Sequence, residues 1–238
     1  MNQRNRISLM LVVILVAQII LPILNVIIES AITSKSIAAG WETATVDGIT
    51  WTYFLEEGNI INITPKNKDE VTNNVIVPSS LNEHTVISIG DEAFRGCNNL
   101  ESIEIPNSVT SIGVRAFGEC SSLKDVKLGS GLTEIQLQAF SKCTSLENII
   151  IPDSVTDLGS RVFEGCTSLS RANVPARETM IGTALFDGCS SLTAINIPDN
   201  IETIENCAFR GCSSLKSINI PSSVTFVGIC AFEGCSNL

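Results

Sequence analysis

Three residue ladders run through this chain with one shared period. Cys97, Cys120, Cys143, Cys166, Cys189, Cys212 and Cys235 stand 23 residues apart. So do Phe94, Phe117, Phe140, Phe163, Phe186, Phe209 and Phe232, and so do the leucines from Leu100 to Leu238. A repeat this short cannot fold alone, because ordering its backbone costs more than its few inward side chains contribute. The units must stack and share one continuous core, which makes the chain a solenoid.

Within a unit, Leu100-Glu-Ser-Ile103-Glu-Ile105 alternates with period two and reads as a strand, ended by Pro106, which has no N–H for a ladder. Val109 to Ile112 reads as a second short extended piece. Gly113 permits a tight bend, and Val114 to Glu119 reads as one or two helical turns. Joining parallel neighbours in this way predicts a right-handed coil. The expected fold is therefore α/β: a right-handed solenoid of 23-residue units with parallel strands and short helical turns.

The units begin at about residue 74. The segment from Pro78 to Ile89 is five residues longer than its counterpart from Pro106 to Ile112, and the extra loop carries His84. Residues 41–73 differ from the repeat. They hold an Asp47-Gly48 hairpin signal and a second turn at Glu56-Glu-Gly-Asn59, and they read as a small N-terminal β cap with Trp51 and Tyr53 as apolar plugs. Ahead of the cap, Arg4 and Arg6 precede an apolar run from Ile7 to Ile28. That run is long for a signal peptide and long enough to span a membrane, so residues 1–40 read as an export signal or an uncleaved anchor. Either reading places the rest outside the membrane, secreted or anchored at the cell surface. The chain stops at Cys235-Ser-Asn-Leu238, four residues into another unit, which reads as a truncated solenoid from a longer protein.

The unit L-x-x-I-x-I-P-x-x-V-T-x-I-G-x-x-A-F-x-x-C resembles the BspA-like leucine-rich repeat, also called the TpLRR class, over residues 74–238. The resemblance implies a curved solenoid on a secreted or surface protein, some of whose relatives act as adhesins for host matrix proteins or cells. It carries no catalytic motif. The pattern is broken in the fourth of these units, where Ala172 replaces an inward Ile and Arg177-Glu178-Thr179 stands where a small residue, Val and Thr are expected. Gly129 replaces the unit's proline, and Gln136 and Glu205 replace the bend glycine.

The chemistry the chain can perform is narrow. A formal charge of −10 argues against nucleic acid, whose phosphates need clustered Lys and Arg. His84 is the only imidazole, and no hydrolase, metalloprotease, dinucleotide or P-loop string occurs. No enzyme activity, cofactor or metal is expected. The seven ladder cysteines are odd in number, lack the close pairing of zinc ligands, and read as small buried fillers. Cys207 and Cys230 stand at positions held elsewhere by Glu92, Arg115, Gln138, Arg161 and Ala184, which reads as an outward face on adjacent coils. They are either two free thiols or a disulfide.

The outward strand positions are expected to line one long sheet face. They include Glu104, Asp125, Lys127, Asn148, Arg171, Asn173, Asn196 and Asn219, with Ile150 beside Asn148 and an asparagine ladder toward the C-terminus. Repeat proteins bind partners through such faces. The face is therefore either a docking strip or an ordinary solvated sheet, and Arg171, Arg177 and Glu178 are either a local bulge or a ligand-reading spot. The resulting expectation is a non-catalytic, adhesin-like module for a protein ligand such as a host matrix or cell-surface component, acting as a monomer. The alternative is an accessory repeat module of a larger surface enzyme whose catalytic domain follows residue 238.

Overall fold

The computed structural model describes residues 40–238. The expected signal or anchor segment, apart from Gly40, lies outside the described residues. No helix among them is long and apolar enough to cross a membrane.

Strands β1 (Gly40–Val46), β2 (Ile49–Glu56) and β3 (Asn59–Pro65) form an antiparallel meander. Asp47-Gly48 and Glu57-Gly58 join them, all four residues at positive φ. Two consecutive left-handed residues give a turn whose twist matches that of the paired strands. Trp51, Tyr53 and Leu55 point inward from β2 and are buried. A 3-10 turn at Lys68–Glu70 then leads to β4 (Asn73–Ile76), the first strand of the solenoid. Coil 1 continues through β5 (Ser80–Leu81), β6 (His84–Val86) and β7 (Ser88–Ile89). Its longer loop is stitched to the cap, because β6 pairs with both β5 and β3. His84 belongs to that stitch, with Nδ1 3.1 Å from the Gly58 carbonyl.

The later coils contribute β8 (Leu100–Glu104), β9 (Ser111–Ile112), β10 (Asp125–Lys127), β11 (Glu134–Ile135), β12 (Asp157–Leu158), β13 (Met180–Ile181), β14 (Thr203–Ile204) and β15 (Phe226–Val227). One parallel sheet joins β4, β8 and β10. On another side of the coils, β7, β9, β11 and β12 continue the sheet of the cap, and β13, β14 and β15 form a separate parallel set. The 23-residue spacing becomes strict register here: Ile89, Ile112, Ile135 and Leu158 pair in turn.

The phenylalanine ladder is a column of stacked rings, with centroids 5.0 to 5.9 Å apart and planes within 13° of parallel from Phe94 to Phe232. Trp51 closes the cap end of the column edge-on, 6.0 Å from Phe94. The coil rise sets this stacking, since neighbouring chains in a sheet lie ~4.8 Å apart.

The expected short helical turns are absent from the described coils, and the segment after the bend is a chain of β-turns. In coil 1, Ala93 N–H donates to Gly90, Arg95 to Glu92 and Cys97 to Phe94, each closing a three-residue step. The alternate N–H groups leave the coil: Glu92 donates to Val114, Phe94 to Ala116 and Gly96 to Gly118. A helix keeps its backbone bonds to itself, whereas alternating turns send every second one to the neighbouring coil. The geometry requires left-handed residues at Glu92, Arg115, Gln138, Arg161, Ala184, Cys207 and Cys230, all with φ between 52° and 60°.

The ladder cysteines are donors as well as fillers. From Cys120 to Cys235, each Sγ–H donates to the carbonyl of the phenylalanine 26 residues earlier, at 3.0 to 3.2 Å. Each of those carbonyls also accepts its own coil's turn bond, as Phe94 does from Cys97. Both lone pairs of a buried carbonyl are thereby used. Burial pushes the Cys97 thiol up to about 11 and the Cys120, Cys166 and Cys212 thiols up to about 12.

The gap between β12 and β13 falls at the irregular unit. Glu178 occupies the core position held by Val109, Leu132, Val155, Ile201 and Val224 in other coils, and it is buried. Its carboxylate lies near the Leu158 N–H, and Oε1 has no hydrogen-bond partner among the described residues.

Candidate protein-binding face

The outward face of the β4-β8-β10 sheet changes its side chains from coil to coil. Glu104 on β8 and Lys127 on β10 are stacked neighbours and form an ion pair at 2.6 Å. Both ends are solvated, so the pair contributes little to stability. Asp125, Asn148 and Arg171 follow one another across three coils, linked by single parallel bridges. All three are exposed, and neither Asp125 nor Arg171 makes an ion pair among the described residues.

The sheet does not run the full length of the solenoid as the sequence suggests. Val77 N–H donates to Glu104 and Ile105 N–H to Lys127, both at 2.9 Å. The next rung, Leu128 N–H to the Ile150 carbonyl, is not made. Glycines at 129 and 131 explain which side opens. A Cβ on Gly129 would overlap the Pro106 carbonyl, and one on Gly131 the Asn107 carbonyl. Coil 3 therefore presses closely against coil 2 and parts from coil 4.

The parting leaves a cleft of about 520 Å³ bounded by Asp125, Lys127, Leu128, Asn148, Ile150 and Pro152. Ile150 stands at its edge, 80% exposed. One coil further on, Asn173 is only half exposed and turns back onto its neighbour. Its Oδ1 accepts the Ile151 N–H at 2.7 Å and its Nδ2 donates to the Ile151 carbonyl at 2.9 Å. Asn173 is thus occupied in replacing backbone, and the expected asparagine ladder reduces to Asn196 and Asn219, which are exposed.

Cys207 and Cys230 are half-buried. They approach each other across adjacent coils, and Cys230 also contacts Glu233. A hydrogen bond to Glu233, followed by partial burial, raises the Cys230 thiol above its ordinary value. Among the described residues, no group of three or more His, Cys, Asp or Glu is placed to hold a metal ion. The strip's large apolar residue, Ile150, is the one that stands at the cleft. Its signal was present in the sequence, as an isoleucine in an outward slot that neighbouring units fill with Glu104, Lys127, Asn173 and Asn196.

A family model described as the BspA type leucine-rich repeat region matches residues 66–193 and 179–238, with 6 copies. The chain belongs to the BspA-type leucine-rich repeat family. Among solved structures, this member is similar to the T. pallidum leucine-rich repeat protein, at 31% identity and a TM-score of 0.75, covering 83% of this chain and 91% of that one. It is also similar to a leucine-rich cell surface protein from Faecalibacterium prausnitzii, at 32% identity and a TM-score of 0.74, covering 83% of this chain. That alignment spans 53% of the Faecalibacterium chain. A leucine-rich repeat protein from Bacteroides ovatus matches at 27% identity and a TM-score of 0.59, over 78% of this chain and 55% of that one. A search of the curated proteins finds no match.

Proposed function

We propose that this BspA-type repeat chain is a non-catalytic, adhesin-like module that binds a protein ligand at the cell surface or after secretion. The ligand class is a matrix or cell-surface protein. The observation that carries the reading is the opened rung between coils 3 and 4. A solvated sheet with no partner has no reason to expose Ile150 beside a cleft, with Asp125 and Arg171, unpaired among the described residues, on either side of Asn148. An apolar group flanked by unpaired polar groups is the usual anatomy of an interface core and its rim. The Faecalibacterium relative is a cell surface protein, which supports the location.

The test is surface binding of the full chain to immobilised matrix proteins and to intact host cells. Binding that falls about tenfold or more in Ile150→Glu supports the reading, since an interface anchor is worth ~1.4 kcal/mol or more. Absence of binding to every surface, or binding indifferent to Ile150→Glu and Asp125→Lys alike, refutes it.

A further inference from the structure

The cap carries an aromatic ring that the core does not use. Of the two tryptophans, Trp51 is buried and Trp41 is 61% exposed. Trp41 on β1 lies opposite Phe54 on β2, and the rings meet edge to face with centroids 5.5 Å apart and planes at 68°. The contact holds the indole in place and leaves it open to solvent. Beside it lies a concavity of about 250 Å³, shared with Asn62, Thr64, Gly90 and Asp91.

The polar groups around that concavity have fixed positions. Thr64 Oγ1 donates to the Ala93 carbonyl at 3.2 Å. Asp91 Oδ1 accepts the Val114 N–H at 2.8 Å, which orients the carboxylate and leaves Oδ2 without a partner among the described residues. Asn62 sits at φ 57°, and its carboxamide makes no hydrogen bond among the described residues. Gly90 belongs to the floor, where a Cβ would come 3.2 Å from Asn62 Cα.

This set of groups matches a sugar. One face of a pyranose is a patch of C–H groups that packs on an indole, and its rim is a ring of hydroxyls that donate to a carboxylate and exchange bonds with an amide. The concavity admits one such ring and is smaller than the ~300 Å³ or more of a site for drug-sized ligands. The free carboxylate oxygen and the formal charge of −10 repel anionic sugars. We infer that Trp41, Asn62 and Asp91 form a binding site for a neutral hexopyranose unit of a polysaccharide, separate from the protein-binding face and not dependent on it.

The test titrates the full chain, free of glycosidic detergent, with cellohexaose, maltohexaose, mannohexaose and the N-acetylglucosamine hexamer, with sialyllactose as the anionic control. Calorimetry reads binding, and acrylamide quenching reads Trp41, because the only other tryptophan is shielded in the core. The expected result is saturable binding of at least one neutral hexamer at millimolar concentration or below. Trp41 should be protected from acrylamide, and affinity should fall about tenfold in Trp41→Ala and in Asn62→Ala. Unchanged Trp51 emission establishes that both variants keep the fold. No binding by any neutral hexamer, binding that survives Trp41→Ala, or binding of sialyllactose alone overturns the inference.

Discussion

Replacing Glu178 by valine should make the protein more stable at neutral pH. The carboxylate lies in a core ladder whose other members are aliphatic, and its Oε1 has no hydrogen-bond partner among the described residues. A buried polar atom left unpaired costs ~1–3 kcal/mol, and burying a valine side chain contributes about 1.5–3 kcal/mol. Against these stands the Leu158 N–H, which loses its polar neighbour at a cost of up to ~1–3 kcal/mol unless β13 closes onto β12. The net gain is about 2 kcal/mol, and larger if the two sheets join. Burial also raises the Glu178 carboxyl above its ordinary value of 4.5. The native chain therefore holds that proton more tightly than the unfolded chain. Its stabilising contribution is complete below the unfolded value and is lost as pH rises through the folded one. The advantage of Glu178→Val should accordingly be full at pH 7 and shrink on acidification toward 4.5. Denaturant unfolding of both proteins across that range measures the difference, which cancels the titration of shared carboxylates. A variant less stable than the parent at pH 7, or an advantage that does not change with pH, refutes the reasoning.

Two further perturbations address the ladders and the outer thiols. Phe140→Ala removes one ring from the middle of the stacked column and should cost about 3–5 kcal/mol, read as a fall in the denaturation midpoint. In the native chain, an alkylating reagent at pH 8 should label Cys207 and Cys230 before any reduction and leave Cys120 to Cys212 of the ladder unlabelled until the chain unfolds, because burial holds those thiols protonated. Mass spectrometry reads the count. Failure to label Cys207 and Cys230 until after reduction would mean that the two are joined as a disulfide.

The period, the three ladders and the cap plugs were legible in the chain itself. Equal spacing of Cys, Phe and Leu can only mean equivalent positions in stacked units, and Asp47-Gly48 is a turn by its local preference alone. The departures were legible too, since Gly129, Ala172 and Glu178 stand out against their own repeats. Their consequences were not. Whether residues 114–119 wind into a helix or step through turns depends on where their N–H groups bond, and half of those partners lie in the next coil. The thiol donors have the same origin, each accepted by a carbonyl 26 residues away. The opened rung at Leu128 and Ile150 arises because two glycines let one pair of coils approach closely and the next pair part. Covalent order by itself determined which residues are equivalent. Contacts between coils, made by groups more than twenty residues apart, decided what the equivalent residues do.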